Sequence, residues 1–363
     1  MKHTVFAKKH EEIGAKMVEF GGFYMPIQYE GLVVEHEQVR KAIGVFDVSH
    51  MGLIYIRGSK ALELVQWVTS NDASTLSVGK IQYSCFPNNA GGVVDDFLVY
   101  KTKEDEYLLV VNASNIEKDW NWLVEQNKRI GAELYNASDE ISILAIQGPL
   151  ALKAMQKLTD EPVENMEYYT FKHLTFAGVP NVLFSITGYT GAGGCEIYFK
   201  NEDGLKIWDA VFEAGKEFGI KPIGLGARDT LRLEMGYCLY GHEVSESISP
   251  LEAGLGWITK FVDHKDFVNK AALLKQKQEG VTRKIAGFEM IDRGIPRQDY
   301  EVVDENGNRI GHVCSGTQGP SVKKAIGTAL IKPEFAKAGT EIFIVIRDKA
   351  LKATVVKMPF YKG

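Results

Sequence analysis

Cysteine is scarce in this chain and its cysteines are far apart. The 363 residues include four cysteines, Cys85, Cys195, Cys238 and Cys314, and no C-x-x-C pair. This spacing argues against a disulfide framework or a zinc site and favours reduced thiols that pack as small apolar side chains in a cytoplasmic protein. The eight histidines show neither H-x-x-x-H nor H-E-x-x-H spacing, so the sequence predicts no metal.

Long apolar runs and excess positive charge are also missing. No run approaches the ~20 apolar residues needed to span a bilayer. The first 20 residues contain no long apolar segment of the kind found in a secretory signal. The net charge of −5 argues against broad binding to nucleic acid or to an anionic membrane. The 45% of hydrophobic residues is ample for the cores of two or three domains.

The hydrophobic pattern predicts a mixed α+β protein without a run of βαβ units. The segment 263–284 is rich in charge and is our preferred domain boundary. Beyond it, short strands and tight turns at Asn306-Gly307 and Asp348-Lys349 favour a small barrel or sandwich. Helices are expected over 30–43, 60–68, 115–130, 204–218 and from 224 to about 235, and strands over 81–87, 93–100, 106–113, 141–149 and on both arms of 182–199.

Two adjacent carboxylates interrupt an apolar strand, "GGVVDDFLVY" (91–100). Side chains alternate across a strand, so Asp95 and Asp96 point to opposite faces, and both faces carry apolar neighbours. A sheltered carboxylate either finds hydrogen-bond partners or takes up a proton more readily. Two interpretations stay open on the pattern alone: a structural acid, or an acid in a cavity that positions a substrate nitrogen.

Two further segments combine glycine with polar residues. "GYTGAGGCE" (188–196) is no dinucleotide fingerprint, because no helix follows it. It is typical of a hairpin turn, with Tyr189 on one arm and Glu196 on the other. "GLGARDTLRLE" (224–234) carries Arg228 near a helix N-terminus, where anions are favoured, whereas Arg232 is more simply explained by neutralisation within the protein.

The segment "FDVSHMG" (46–52) contains Asp47, Ser49 and His50, three residue types of a catalytic triad. The serine does not lie in G-x-S-x-G, and neighbouring side chains of an extended segment point apart. We therefore predict a strand entry with a histidine whose hydrogen bonds are satisfied.

Taken together, the motifs resemble the T-protein family of the glycine cleavage system, over essentially the whole chain and in order. The residues that carry the resemblance are "GAKMVEFGGFYMPIQY", "VRKAIGVFDVSHMG", "NNAGGVVDDFLVY", "VNASNIEKD", "AIQGP", "TGYTGAGGCEIY", "GLGARDTLRLEMGYCLYGHE" and "KMPFYKG". The resemblance implies an α+β fold with three domains in a cloverleaf around a central folate cavity. The implied domains are 1–50 with 141–270, then 51–140, and a C-terminal β-barrel over 278–363.

The resemblance also implies an activity. A protein of this family takes the methylene from the aminomethylated lipoyl arm of the H-protein, passes it to tetrahydrofolate as co-substrate, and releases ammonia and 5,10-methylenetetrahydrofolate. No metal is implied. We expect a monomer that meets its H-protein partner transiently.

The family motifs imply roles for individual residues. The catalytic aspartate corresponds to Asp96, which leaves Asp95 as a structural acid on the reverse face. Where some relatives carry arginine, Lys362 stands here, and a contact to the folate tail at that position would be a weaker point charge. The positions expected to bind folate are Tyr83, Tyr100, Tyr189, Glu196, Arg228 and Tyr237.

Two rival functions share the fold, so fold alone does not decide. One is a folate-dependent demethylase of a small sulfur or nitrogen compound. The other is a non-catalytic folate-binding accessory protein, whose relatives carry a cysteine in "K-G-C-Y-x-G-Q-E". This chain reads "MGYCLYGHE" there and keeps "VVDD", and both features favour the transferase.

Overall fold

The computed structural model describes residues 1–363 and divides them into two compact units. The first unit contains 1–64, 75–82 and 97–231, and the second contains 65–74, 83–96 and 232–363. The chain therefore passes repeatedly from one unit to the other. The boundaries predicted for three domains stay a prediction.

The elements of the first part of the chain are as follows. The strands are β1 (Lys2–His3), β2 (Lys16–Phe20), β3 (Phe23–Gln28), β4 (Gly44–Asp47), β5 (Gly52–Arg57), β6 (Ile81–Pro87), β7 (Val93–Lys103), β8 (Glu106–Val111), β9 (Glu133–Asn136) and β10 (Ile141–Gln147). The helices are α1 (Ala7–Glu12), α2 (Leu32–Lys41), α3 (Ala61–Val68), α4 (Ile116–Asn127) and α5 (Ala151–Met155).

The remaining elements follow in the same order. The strands are β11 (Phe171–Phe176), β12 (Val179–Ser185), β13 (Gly194–Lys200), β14 (Lys221–Pro222), β15 (Lys284–Met290), β16 (Glu301–Val303), β17 (Arg309–Gly319), β18 (Lys324–Ile331), β19 (Glu341–Ile346) and β20 (Lys349–Val356). The helices are α6 (Gly204–Gly215), α7 (Leu225–Glu234) and α8 (Lys270–Glu279).

A six-stranded sheet of order β11-β12-β13-β10-β4-β14 organises the first unit. All its pairs are antiparallel except β14 with β4, so the sheet is mixed. One apolar cluster includes Phe184 and Ile197 of the sheet together with Trp208 of α6. A second cluster includes Phe46 and Tyr198. The strands contribute to both clusters, which explains why their sequences read as nearly continuous apolar runs.

Six antiparallel strands close into a barrel in the second unit, in the order β15-β18-β17-β16-β19-β20. Its apolar core contains β-branched and aromatic residues such as Phe288, Val313 and Ile344. Closure pairs every strand edge. The α+β class and the C-terminal barrel expected from the sequence are confirmed.

Two local features differ from the predictions made from the sequence. Helix α8 lies inside the charged segment expected to be a boundary; only Leu273 is buried on it, so it has no apolar stripe to reveal it. The last hairpin turns at Arg347 and Asp348, one residue earlier than predicted, with φ values of 48° and 62°. Two-residue turns of this type require a positive φ at both central positions.

Two further sheets were predicted only in part. The N-terminal strands form a small sheet of order β1-β3-β2, which the sequence analysis did not predict. A five-stranded sheet has the order β6-β7-β8-β5-β9 and contains the expected strands around the two adjacent acids. Strand β7 therefore carries the acids at its start and Tyr100 further along.

Candidate functional site

The glycine-rich turn that connects β12 to β13 is held by one buried amide. Gln147, at the end of β10, donates from Nε2 to the carbonyl oxygens of Thr187 (3.2 Å) and Cys195 (3.1 Å). Its Oε1 accepts from Thr190 Oγ1 at 2.9 Å. A Cβ on Gly188 would lie 2.0 Å from Gln147 Oε1, so any side chain there would displace this hydrogen-bonded amide. The motifs "AIQGP" and "TGYTG" are therefore two halves of one local structure.

Alternation along β12 and β13 brings polar side chains to one face. Ser185 stands opposite Glu196 in the register of the two strands. Residues two apart share a face, so Thr187 and Tyr198 continue the same row. The turn between the arms thus places two hydroxyls on one arm beside a carboxylate and a phenol on the other.

These side chains form a buried hydrogen-bond network that ends on Glu196. Thr187 Oγ1 donates to Glu196 Oε2 at 2.5 Å, and Tyr198 Oη donates to the same oxygen at 3.3 Å. Tyr100 Oη lies 2.9 Å from Tyr198 Oη and 3.1 Å from Ser185 Oγ. Ser185 Oγ is 2.8 Å from Thr187 Oγ1. Glu196 itself is half-buried, whereas Tyr100 is fully buried.

A cation and an aromatic ring adjoin this carboxylate. The guanidinium carbon of Arg228, on α7, lies 4.5 Å from the ring centroid of Tyr189. Burial raises the pKa of Glu196, and the Thr187 hydrogen bond and the charge of Arg228 act against that increase. The group therefore combines an acceptor-only carboxylate, a flat ring and a positive charge, which suits a flat heterocycle that carries N–H donors.

His50 lies in the same unit and does not match the prediction of satisfied hydrogen bonds. Its Nδ1 is buried without a hydrogen-bond partner. Burial and the charge of Arg228 lower the pKa of His50 to about 3, so the ring is neutral. No triad forms, because Asp47 Oδ2 contacts His10 Nε2 at 3.0 Å and Ser49 Oγ donates to the Ile143 carbonyl oxygen at 3.2 Å.

The two acids at the start of β7 lie in different environments. Asp95 is fully buried, whereas Asp96 is half-buried. A Cβ on Gly92, just before the strand, would lie 1.9 Å from the Glu246 carbonyl oxygen. The glycine of "GGVVDD" is therefore required for the close approach of another backbone segment, and this fixes the start of the strand.

Asp96 is held by a phenol. Tyr83 Oη donates to Asp96 Oδ2 at 2.6 Å. Burial raises the pKa of Asp96 to about 7, the charges of Asp95 and Glu243 act in the same direction, and the Tyr83 hydrogen bond opposes them. A carboxylate with a pKa near neutrality can both accept and return a proton at physiological pH.

An exposed aromatic ring lies beside Tyr83. The ring centroids of Tyr83 and Trp257 are 6.0 Å apart with planes inclined at 37°, and Trp257 is 60% exposed. In the same unit, Tyr237 is half-buried and its carbonyl oxygen accepts from Arg232 Nη1 at 3.1 Å. Arg232 is itself buried and paired with Glu243 at 3.2 Å. Its neutralisation within the protein is therefore confirmed, with Glu243 as the partner where the sequence suggested Asp229 or Glu234.

The predicted site residues thus fall into two groups. Tyr100, Tyr189, Glu196 and Arg228 belong to the first unit, and Tyr83, Asp96 and Tyr237 belong to the second. Lys362 is exposed at the end of the chain. Sequence reasoning missed Ser185, Thr187, Tyr198 and Trp257. The first three were detectable in principle, because "SIT" and "EIY" alternate polar residues on the two arms of the predicted hairpin.

Comparison with known proteins decides the family. Residues 6–263 match the GCVT N-terminal domain, and residues 283–362 match the glycine cleavage T-protein C-terminal barrel domain. The chain belongs to the glycine cleavage T-protein family. The family resemblance stated from the motifs is confirmed.

Full-length relatives support the T-protein assignment. The chain is 60% identical over 362 residues to an aminomethyltransferase of Bacteroides fragilis, and the match covers 100% of both chains. It is 49% identical to one of Chloroherpeton thalassium, covering 99% of both. The crystal structure of the glycine cleavage system aminomethyltransferase T from Bartonella henselae superposes with a TM-score of 0.93 at 29% identity, covering 99% of this chain and 98% of that one. The expectation of an aminomethyltransferase enzyme of this system is confirmed.

The structure also bears on membrane crossing, metal binding and the state of the cysteines. No helix in the structure combines the length and the apolar character that crossing a membrane requires. No group of three or more His, Cys, Asp or Glu side chains is arranged to hold a metal ion. All four cysteines are free thiols, and three of them are buried.

Proposed function

We propose that this T-protein transfers the methylene of an aminomethylated lipoyl arm, carried by an H-protein, to tetrahydrofolate and releases ammonia. The methylene carbon loses its bonds to the sulfur and nitrogen of the arm and gains bonds to N5 and N10 of the folate. The two protons displaced from N5 and N10 leave on the sulfur and on ammonia, so the atoms balance. Tetrahydrofolate supplies the nitrogen nucleophiles.

Asp96 is the proposed catalytic carboxylate, and the observation that carries the proposal is its environment. Tyr83 fixes its orientation at 2.6 Å, and burial with the nearby charge of Asp95 raises its pKa to about 7. Such a group orients a substrate N–H, accepts its proton and stabilises positive charge that develops at the transferred carbon. Asp95, fully buried, is the structural acid of the pair.

Glu196 is the proposed receptor for the pterin edge. Its Oε2 accepts from Thr187 and Tyr198, and Oε1 accepts no hydrogen bond from the protein. The 2-amino-4-oxo edge of a pterin presents N–H donors, which match a free carboxylate oxygen. Tyr189 and Arg228 supply a flat apolar surface and a positive charge beside it. The residues present therefore fit the ligand that the family motifs imply.

The roles of the remaining predicted residues are less direct. Tyr83 acts through Asp96, and Tyr100, being fully buried, acts through Glu196 rather than by lining the ligand. Tyr237 remains a proposed folate contact on the family motif alone. We propose a monomer that docks the H-protein transiently in the cytoplasm.

Ammonia release tests this function. The purified protein is incubated with aminomethylated H-protein and tetrahydrofolate together, with each alone, and with free S-methyl or N-methyl compounds in place of the H-protein. We expect ammonia at full rate only in the complete mixture. These small compounds release no ammonia, so their turnover is measured as the one-carbon-substituted folate. Formation of that folate without H-protein would support the demethylase, and folate binding without turnover would support the accessory protein.

A further inference from the structure

The buried hydroxyls behind Glu196 are arranged so that each of them donates toward its carboxylate. A carboxylate only accepts, so the Thr187 and Tyr198 protons are both directed to Oε2, at 2.5 and 3.3 Å. When the Tyr198 proton is on Glu196, the Tyr198 oxygen is free to accept, and Tyr100, 2.9 Å away, is left as the donor between the two phenols. Each hydroxyl has a single proton, so the direction of every bond follows from the one before it.

Ser185 completes this sequence of donors. With the protons of Thr187 and Tyr100 already committed, Ser185 donates to one of their oxygens, at 2.8 or 3.1 Å. All four residues are at most 4% exposed, so water does not compete for these bonds. The O–H dipoles of the four residues therefore all point along the network toward Glu196 Oε2. Tyr100 lies on β7, Ser185 on β12, Thr187 in the turn that follows and Tyr198 on β13.

We propose that Ser185, Thr187, Tyr198 and Tyr100 are positioning residues that keep Glu196 ionised and turn its Oε1 toward the ligand. The inference deepens the proposed function and rests on it. Saturation of Oε2 leaves Oε1 as the free acceptor, so the carboxylate selects a ligand edge with N–H donors and disfavours an edge with an acceptor at the same place. The network acts on the ligand without touching it.

The charged and titratable groups that act on Glu196 can be named. They are Arg228 from α7, Tyr198 on its own strand and Tyr100 from β7. The phenols stay protonated because burial raises the pKa of both far above neutrality. Within this network Glu196 is therefore the group that titrates, and removing donors from Oε2 raises its pKa further.

The test is folate binding as a function of pH. Calorimetry measures the dissociation constant of the stable reduced pterin 5-formyltetrahydrofolate between about pH 5 and 9 for the wild-type chain and Tyr198→Phe. Affinity falls at low pH as Glu196 takes up a proton. In Tyr198→Phe we expect this fall to begin about one pH unit higher, because one donor to the charged form is lost. Tyr24→Phe is the matched control, since Tyr24 Oη donates to Glu11 instead.

Two further variants separate positioning from a purely structural role. In a Glu196→Gln background, Tyr198→Phe is expected to produce no shift of the pH dependence, because the carboxylate on which Tyr198 acts is gone. Ser185→Ala, one bond further from the carboxylate, is expected to shift the pH dependence of binding in the same direction by a smaller amount. It also provides an answer if Tyr198→Phe fails to fold.

The outcomes are distinct. An unchanged pH dependence in both Tyr198→Phe and Ser185→Ala, or an equal loss of affinity at every pH that persists in the Glu196→Gln background, would overturn the positioning role while leaving the proposed function intact. If the wild-type chain binds no reduced pterin at any pH, the proposed function fails and this inference fails with it.

Discussion

Replacement of Asp96 by asparagine should stabilise the fold at neutral pH, because the ionised carboxylate is unfavourable where it lies. The pKa of Asp96 rises from 3.8 to about 7, mainly through burial. That difference corresponds to about 4 kcal/mol against the charged form. Asp96 is only half-buried, and water screens part of the effect, so we expect about 1–2 kcal/mol in practice.

The sign and the pH range follow from proton binding. With a raised pKa the folded state holds the proton more tightly than the unfolded state, so the stability of the wild-type chain falls as the pH rises from about 4 to 7. The Asp96→Asn variant lacks this dependence, because an amide does not titrate. The two proteins should have similar stability near pH 4, and the advantage of Asp96→Asn should grow up to about pH 7 and stay constant above it.

Thermal unfolding followed by circular dichroism at a series of pH values measures this difference. We expect a midpoint a few degrees higher for Asp96→Asn at about pH 8. Asp95→Asn makes the same chemical change on a fully buried neighbour and should lower the midpoint, because an amide then replaces a buried carboxylate that has partners in the folded protein. An Asp96→Asn protein no more stable than wild type under these conditions, or a difference that does not vary with pH, would show that the ionised Asp96 carboxylate does not destabilise the fold.

Three other predictions follow from the same site. Turnover should fall as the pH drops below about 7, where Asp96 takes up a proton. Asp95→Asn removes a neighbouring charge and should move this decrease in turnover to lower pH. An unchanged pH dependence of turnover in Asp95→Asn would show that the charge of Asp95 does not act on Asp96. Arg228→Gln should raise the folate dissociation constant about tenfold, since a charged contact worth about 1–2 kcal/mol is lost; unchanged affinity in calorimetry would remove Arg228 from the binding group. Gly188→Ala should weaken folate binding in the same assay, because its Cβ would lie 2.0 Å from Gln147 Oε1. Gly193→Ala should weaken folate binding less, because a Cβ there meets no atom within 4 Å and only the positive φ of 77° is unfavourable. Equal losses of folate affinity in the two variants would contradict the role of the Gly188–Gln147 contact.

The sequence predicted those parts of the fold in which periodicity and burial agree. Strands β7, β10 and β13 bury most of their residues on both faces and read as short apolar runs. Helix α8 buries little more than Leu273, so no stripe marks it. The sequence indicated a hairpin here but not its register. Either Arg347-Asp348 or Asp348-Lys349 could have supplied the two central residues of the turn, and the structure uses the first pair.

The site was predictable residue by residue but not as a network. The acids of "VVDD" stood out because charge is costly in an apolar strand. Tyr198 and Ser185 did not, since a tyrosine or a serine within a strand is unremarkable until the register sets it against Glu196. The contact of Tyr100 with Tyr198 joins residues 98 positions apart, and no local pattern encodes such a separation.

The rate of methylene transfer in the Asp96→Asn variant directly tests whether Asp96 is the catalytic carboxylate. The rate of ammonia release from aminomethylated H-protein is measured at saturating tetrahydrofolate, alongside Asp95→Asn and the wild-type chain. We expect a loss of about 10²–10⁴-fold for Asp96→Asn with folate affinity within a few-fold of wild type, and a far smaller loss for any Asp95→Asn protein that folds. Near-normal turnover in Asp96→Asn, with a folded but inactive Asp95→Asn, would contradict it and exchange the two roles.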